Sequence, residues 1–263
     1  MIRVFPRRTK WTPTDELAFI GDPPLFRPEE QPVRISVTFL YDRAEGERLK
    51  KYWSCYYHDV EIGGPAYEDR GGAFVPGRFI KEGVTFTSRG CPKNCEGCFV
   101  HEREGGIREL PIVPGHIIQD NNHLACSKAH ILATAEMLKS QKKAACYNGG
   151  LDVDFLQDWH INLFLSMRIH ELWFACDRKS AIKKLESASH KLTAFHPRKK
   201  RCYCMIGKKE TLAEARERLE AVYKMGFYPF AQLYQGPENI IYTKQWKDLA
   251  RKWQRPAAYN SKQ

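Results

Sequence analysis

Three cysteines, Cys91, Cys95 and Cys98, stand in the run Thr87-Ser88-Arg89-Gly90-Cys91-Pro92-Lys93-Asn94-Cys95-Glu96-Gly97-Cys98. Thiols spaced C-x3-C-x2-C on one tight loop can each grip one iron of a cubane cluster. Three protein ligands for four irons leave one iron open, whereas a ferredoxin-type electron-transfer site closes all four with cysteine. An open metal position can take a substrate, as catalytic sites require. The alternative is a structural zinc site on Cys95-x2-Cys98, which needs a second ligand pair. Cys202-x-Cys204 is the nearby candidate, but that spacing is tight and both side chains project to one face of a strand. The strand–loop context favours the cluster.

The chain has nine cysteines in 263 residues. In a reducing compartment these are free thiols or metal ligands, and an odd number does not complete a disulfide framework. Cys126, Cys146, Cys176, Cys202 and Cys204 read as buried structural thiols, and Cys55 as core or surface filler. His116, His123 and His130 flank Asp120-Asn121-Asn122 and have the titration range of acids or bases, although no spacing demands that role. Lys+Arg exceed Asp+Glu by 42 to 31, a net charge of +11. That balance suits polyanions, nucleic acid first among them, and equally suits solvated basic faces. The stretch His196-Pro197-Arg198-Lys199-Lys200-Arg201 and the tail from Lys244 to Gln263 are the basic segments. Trp246 and Trp253, seven residues apart on one helix face, read as core rather than as base-stacking groups. No apolar run reaches the roughly 20 residues of a bilayer span, and no apolar core follows the basic start. A cytoplasmic protein without membrane contact is therefore expected.

The elements that must position the cysteines alternate between strand and helix. Residues 1–32, rich in proline and charge, read as an irregular lead-in. A strand from Val33 to Leu40, a helix from Ala44 to Tyr57 and a strand Val60-Glu61-Ile62 make one strand–helix–strand unit. Gly71-Gly72 and Pro76-Gly77 mark the loop after it. The strand Val84-Thr85-Phe86-Thr87 runs straight into the cysteine loop. Further strands are expected at Ala144–Tyr147, Glu171–Cys176, Cys202–Ile206 and Phe227–Leu233. Helices are expected at Ser127–Gln141, Val153–Arg168, Ser180–His190, Thr211–Met225 and Tyr242–Trp253. Five such strands predict an α/β fold, an open partial (β/α)5-6 TIM-like barrel over residues 81–263, closed by a basic C-terminal helix. It is preceded in residues 1–80 by a small Rossmann-like βαβ unit.

The cysteine loop after a first barrel strand resembles the radical S-adenosylmethionine (SAM) superfamily, across residues 84–233. That resemblance implies a [4Fe–4S] cluster on Cys91, Cys95 and Cys98, with SAM chelated by the open iron. A reducing partner, flavodoxin- or ferredoxin-like, would feed the electron that cleaves SAM, and the resulting radical would take a substrate hydrogen. It also implies that Asn148-Gly149-Gly150 and Asp152 contact SAM after the second strand. Asp177, closing the third strand, would lie near SAM, or else cap a helix. Gly207 would let the backbone approach adenine or simply serve a turn. The family often has an aromatic residue before the third cysteine; here Gly97 stands there and Phe99 follows the cysteine, so Phe99 is the expected adenine-side contact. Val33–Leu40, Glu61-Ile62-Gly63-Gly64-Pro65 and the cysteine run further resemble the branch with an N-terminal cobalamin-binding domain. The Asp-x-His-x-x-Gly motif of that branch is missing, so the unit reads as a degenerate remnant and cobalamin binding is not expected. Nucleic-acid base modification is the leading expectation for the substrate. A peptide or small metabolite, or a non-enzymatic zinc- or cluster-containing nucleic-acid-binding protein, are the alternatives.

Overall fold

The computed structural model describes residues 1–67, 74–236, 238 and 240–260; Gly71 and Gly72 lie outside them. The chain begins with strands rather than an irregular lead-in. β1 (Ile2–Phe5), β2 (Ala18–Ile20), β3 (Val33–Ser36) and β4 (Val60–Gly63) form a parallel sheet in the order β2-β1-β3-β4, with α1 (Arg43–Trp53) between β3 and β4. β1 is central and buried throughout, so its four residues carry no alternation to betray them. Arg3 is buried because its guanidinium meets the carbonyls of Gly77 and Arg78 and the carboxylate of Asp15. This sheet has its own core, with Ile2, Val4, Ile35, Leu49 and Trp53 at its centre. β3 stops at Ser36, short of the expected Leu40, because a 3-10 turn at Leu40–Asp42 already leads into α1.

The second part opens with β5 (Val84–Thr85). An antiparallel pair, β6 (Ser88–Arg89) and β7 (Arg108–Glu109), then brackets the cysteine loop and the short α2 (Val100–Glu104). There follow β8 (Ile117–Ile118), α3 (Lys128–Ser140), β9 (Ala145–Leu151), α4 (Asp158–Leu165) and β10 (Ile169–Ala175). The chain continues through α5 (Ile182–Lys191), β11 (Lys200–Ile206), α6 (Leu212–Lys224), β12 (Tyr228–Leu233), α7 (Lys244–Trp253) and α8 (Pro256–Asn260). Six strands pair in parallel in chain order, β5-β8-β9-β10-β11-β12. The five strands expected from sequence all recur, and β8 is a sixth, two residues long. β5 and β12 are the sheet edges and do not pair with each other among the described residues. The molecule is thus mixed α/β with two parallel sheets. No helix among the described residues is long and apolar enough to cross a membrane.

Local chemistry sets the helix starts. Thr211 and Glu214 form a reciprocal capping box at α6, satisfying two amide donors that a helix end leaves open. Ala215, Leu219 and Val222 of α6 then face the main core. In the tail, Trp253 is buried and stacks on Tyr259 at 4.9 Å, and Trp246 packs against the same core, so these aromatics face inward.

The expected helix Val153–Arg168 is broken. A 3-10 turn at Val153–Phe155 precedes α4, which starts at a box between Gln157 and His160. His160 Nδ1 accepts the Gln157 amide at 3.0 Å, which requires an unprotonated Nδ1. Burial, and secondarily the neighbouring His123, press the His160 pKa down to about 4. The unfolded chain binds this proton near pH 6.5, so the contribution to stability is intact above that pH and falls as pH drops towards 4. At 1.36 kcal/mol per unit the loss is roughly 3 kcal/mol. Urea unfolding at pH 7 and pH 4.5 is expected to show this decline in the wild type and a smaller one in His160→Gln; equal declines would exclude His160 as the group responsible.

Candidate functional site

The cysteine loop is pinned at its base. Gly90 has φ +81°, and a Cβ there would sit 2.1 Å from the Gly106 carbonyl oxygen, so only glycine fits before Cys91. The Gly90 amide donates to Glu104 Oε2 and Asn121 Oδ1, both at 3.2 Å, and the Cys91 amide to the Gly105 carbonyl at 3.0 Å. The Cys98 amide bonds the Cys95 carbonyl at 3.0 Å, which folds the C-x2-C segment into a turn.

A cavity of about 1160 Å³ opens at the carboxyl ends of the six-stranded sheet. Cys91, Cys95 and Cys98 line it together with Asn148, Gly149, Gly150, Asp152 and Asp177, although these residues come from three separate segments of the chain. Phe99 is the exception: it caps the amino end of α2, is partly exposed and does not line the cavity. Asn148-Gly149-Gly150 lies within β9 rather than after it. Tyr147 pairs with Leu172 and Leu151 with Phe174, so the three residues bulge out of the ladder towards the cavity, with Gly150 at φ +117°. Asp177 accepts the Met205 amide of β11 at 2.7 Å, so it ties two strands and does not cap a helix. Asp177 lines the cavity and is exposed to it, and crowding by protein on its other sides raises its pKa. Lys93, inside the cysteine loop, reaches across to Asp152 at 2.6 Å and Asp154 at 2.5 Å, closing one side. Gly207 is a turn glycine: with φ +85° it lies against the Tyr242 ring, which a Cβ would meet at 2.5 Å.

A Zn–S bond of about 2.3 Å keeps any two sulfurs on one zinc within about 4.6 Å. Among the described residues, Cys91, Cys95 and Cys98 do not form a set with all sulfurs within 4.8 Å of one another. Burial pushes the Cys98 thiol up, with Cys95 and Cys91 adding to it, so a cation at the loop would draw off protons on binding. Cys202 and Cys204 are fully buried in the main core and do not line the cavity, so they do not supply the second pair of a zinc site there.

Two residues with direct contacts to this loop had no assigned role in the sequence. Asn122 is buried, lines the cavity, and directs Nδ2 at Cys91 Sγ (3.5 Å) and Asp152 Oδ2 (3.4 Å). Asp120, also buried, accepts from the Thr87 amide and hydroxyl (2.6 Å each), from the Ser88 hydroxyl (2.9 Å) and from His123 Nδ1 (3.0 Å). The polar triplet Asp120-Asn121-Asn122 was the available signal. Asp120, His123 and Cys126 bring ligand atoms within 4.8 Å of one another, a geometry that could also hold a metal ion. Yet four donors already occupy the carboxylate, and burial pushes the Cys126 thiol up to about 11, so the group works as a hydrogen-bond hub. His130 Nε2 lies 2.8 Å from the Thr87 carbonyl oxygen, and none of His116, His123 and His130 lines the cavity.

Fold and site together define a parallel α/β protein with a three-thiol cavity at the carboxyl end of its sheet. No protein-family model matches the chain, and none of the curated proteins matches it.

Proposed function

We propose that this chain is a radical SAM enzyme that carries a [4Fe–4S] cluster on Cys91, Cys95 and Cys98. One observation carries the reading: the C-x3-C-x2-C thiols and the Asn148-Gly149-Gly150 bulge line the same cavity. The six strands pair in parallel in chain order, a winding compatible with an open partial barrel, a fold whose chemistry sits at the carboxyl ends of the strands. When bound, the cluster supplies an electron and an open iron at which SAM is cleaved. The chain's own residues do the rest. The bulge turns backbone groups of Asn148 to Gly150 towards the cofactor's polar end. Asn122 directs an N–H at a ligand sulfur, a contact that stabilises the more reduced cluster. The Lys93 bridge to Asp152 and Asp154 ties the cysteine loop to the segment after β9 on that side. A flavodoxin- or ferredoxin-like protein would donate the electron. A nucleic-acid base is the substrate class we favour, on the basic balance of the chain.

Anaerobic reconstitution followed by reduction with SAM tests the reading. Wild-type protein is expected to hold about four irons and release 5′-deoxyadenosine, and Cys95→Ala to lose both by at least a hundredfold. A colourless protein with stoichiometric zinc, unchanged in Cys91→Ala, would overturn it in favour of a structural metal.

A further inference from the structure

A second cavity, of about 350 Å³, lies at the opposite, amino-terminal ends of β8, β9 and β10. It is lined by Lys10 and Trp11 from the β1–β2 connection and by His116, Lys143, Cys146, His170 and Glu171 from the main sheet. Lys81 joins them: its Nζ lies 5.0 Å from the Trp11 ring centroid, and Lys10 Nζ lies 4.7 Å from it. The Lys81 amide bonds the Trp11 carbonyl at 2.8 Å, so this corner is held by backbone and not by side chains alone. His116 is set by Gly83, where any Cβ would fall 2.7 Å from the imidazole.

The charges do not balance. Two lysines, Lys10 and Lys143, and two histidines line a cavity with one carboxylate, Glu171, and Glu171 Oε2 already accepts the Trp173 indole N–H at 2.8 Å; Lys81 stands beside Trp11 just outside the lining. Among the described residues, no ion pair within 4.0 Å involves Lys10, Lys81 or Lys143. Burial, then Lys143, Lys81 and His170, hold the His116 pKa below its ordinary value, the mark of uncompensated positive neighbours. Gathering like charges round a concavity is unfavourable in the empty protein and becomes favourable when an anion enters. The volume is that of a small ligand pocket rather than of a lone ion.

We propose that this cavity binds a phosphate-bearing ligand, with Lys10 and Lys143 on the phosphate oxygens, His116 and His170 as further donors, and Lys81 adding positive charge from beside Trp11. The site stands apart from the thiol-lined cavity. The two share no lining residue, although along β9 Cys146 lines one and Asn148 the other, about 7 Å apart at 3.3 Å per residue. The proposal is therefore independent of the radical SAM reading. Free phosphate, a nucleotide and a nucleic-acid strand share this chemistry, and the measurement separates them.

Calorimetric titration of the full chain at low ionic strength would use inorganic phosphate, ATP and a 12-nucleotide single-stranded DNA as separate probes. At least one is expected to bind, more weakly as salt rises, and the tightest identifies the source of the phosphate. In K10E/K143E, whose two side chains are exposed, that affinity is expected to fall at least tenfold with the fold intact by circular dichroism. The control K247E/K252E makes the same charge change on exposed positions of α7 and is expected to fall less than threefold. No binding of any probe, or equal losses in the two double variants, would overturn the proposal. Release of 5′-deoxyadenosine is expected to be unaffected in K10E/K143E, so a failure here and a failure of the cluster reading give different results.

Discussion

Asp120→Ala is expected to lower the unfolding free energy by about 3–5 kcal/mol, the usual loss when one side of a buried charged network is deleted. The carboxylate is 1% exposed and takes four donors, so its removal strands the Thr87 amide, two hydroxyls and an imidazole N–H without water to replace it. Ordinary domains have only about 5–15 kcal/mol in hand. Burial alone would raise the carboxyl's pKa; the hydrogen bond and charge of His123, then Thr87, outweigh it and hold the pKa below the ordinary value. This stabilisation is therefore complete above about pH 4 and is lost as pH falls through the lowered folded pKa. Thr87 and Ser88 lead directly into Gly90 and Cys91, so the variant is also expected to reconstitute with less iron. Asp120→Asn keeps the shape but turns an NH2 towards donors, and an intermediate loss is expected in urea unfolding. A loss under 1 kcal/mol for Asp120→Ala would mean that the hub does not hold the loop.

Gly149→Ala is expected to be far more damaging than Gly150→Ala, although the two residues are adjacent. A Cβ on Gly149 would lie 1.9 Å from the Asp120 carbonyl oxygen and 2.6 Å from the Gln119 carbonyl carbon. Both are backbone atoms of the segment that carries the hub, and they have no side-chain freedom with which to yield. Pushing the strands apart costs about 3 kcal/mol, at the upper end for overpacking. A Cβ on Gly150 meets nothing within 4 Å, and its penalty is the strain of φ +117°, about 1–2 kcal/mol. Thermal melts of the two variants give the ranking, and on the proposed function SAM affinity by equilibrium dialysis reports the bulge itself. The reverse ranking would show that the bulge does not pack on residues 119–120.

The features legible in the sequence were those that act locally. The thiol spacing and the Asn-Gly-Gly triplet declare themselves within a few residues, and the five longer strands of the main sheet show as apolar runs between turns. β8, two residues long, offers no period to detect, and β1, buried on both faces, shows no alternation. The hub on Asp120 was not legible because its partners lie up to 33 residues away and meet only when β5 pairs with β8. Phe99 follows the third cysteine closely in sequence, yet α2 carries it out of the cavity wall. Cys202 and Cys204, read as buried structural thiols, are that: strand alternation on β11 puts both into the apolar core.

The chain-order winding of the main sheet bears on how the protein is made. Val84 pairs with Ile117, Ile117 with Cys146, Ala145 with Ile169, Trp173 with Arg201 and Arg201 with Tyr228, so each strand adds to one formed about thirty residues earlier. Closing a loop of that length carries nearly the same entropic penalty each time, and no step waits for a distant segment. A chain leaving the ribosome can lengthen this sheet strand by strand from its β5 edge. The cysteine loop emerges in the first of these steps and Gln232, across the cavity, in the last, so the cavity wall is completed only when the final strand of this sheet joins it.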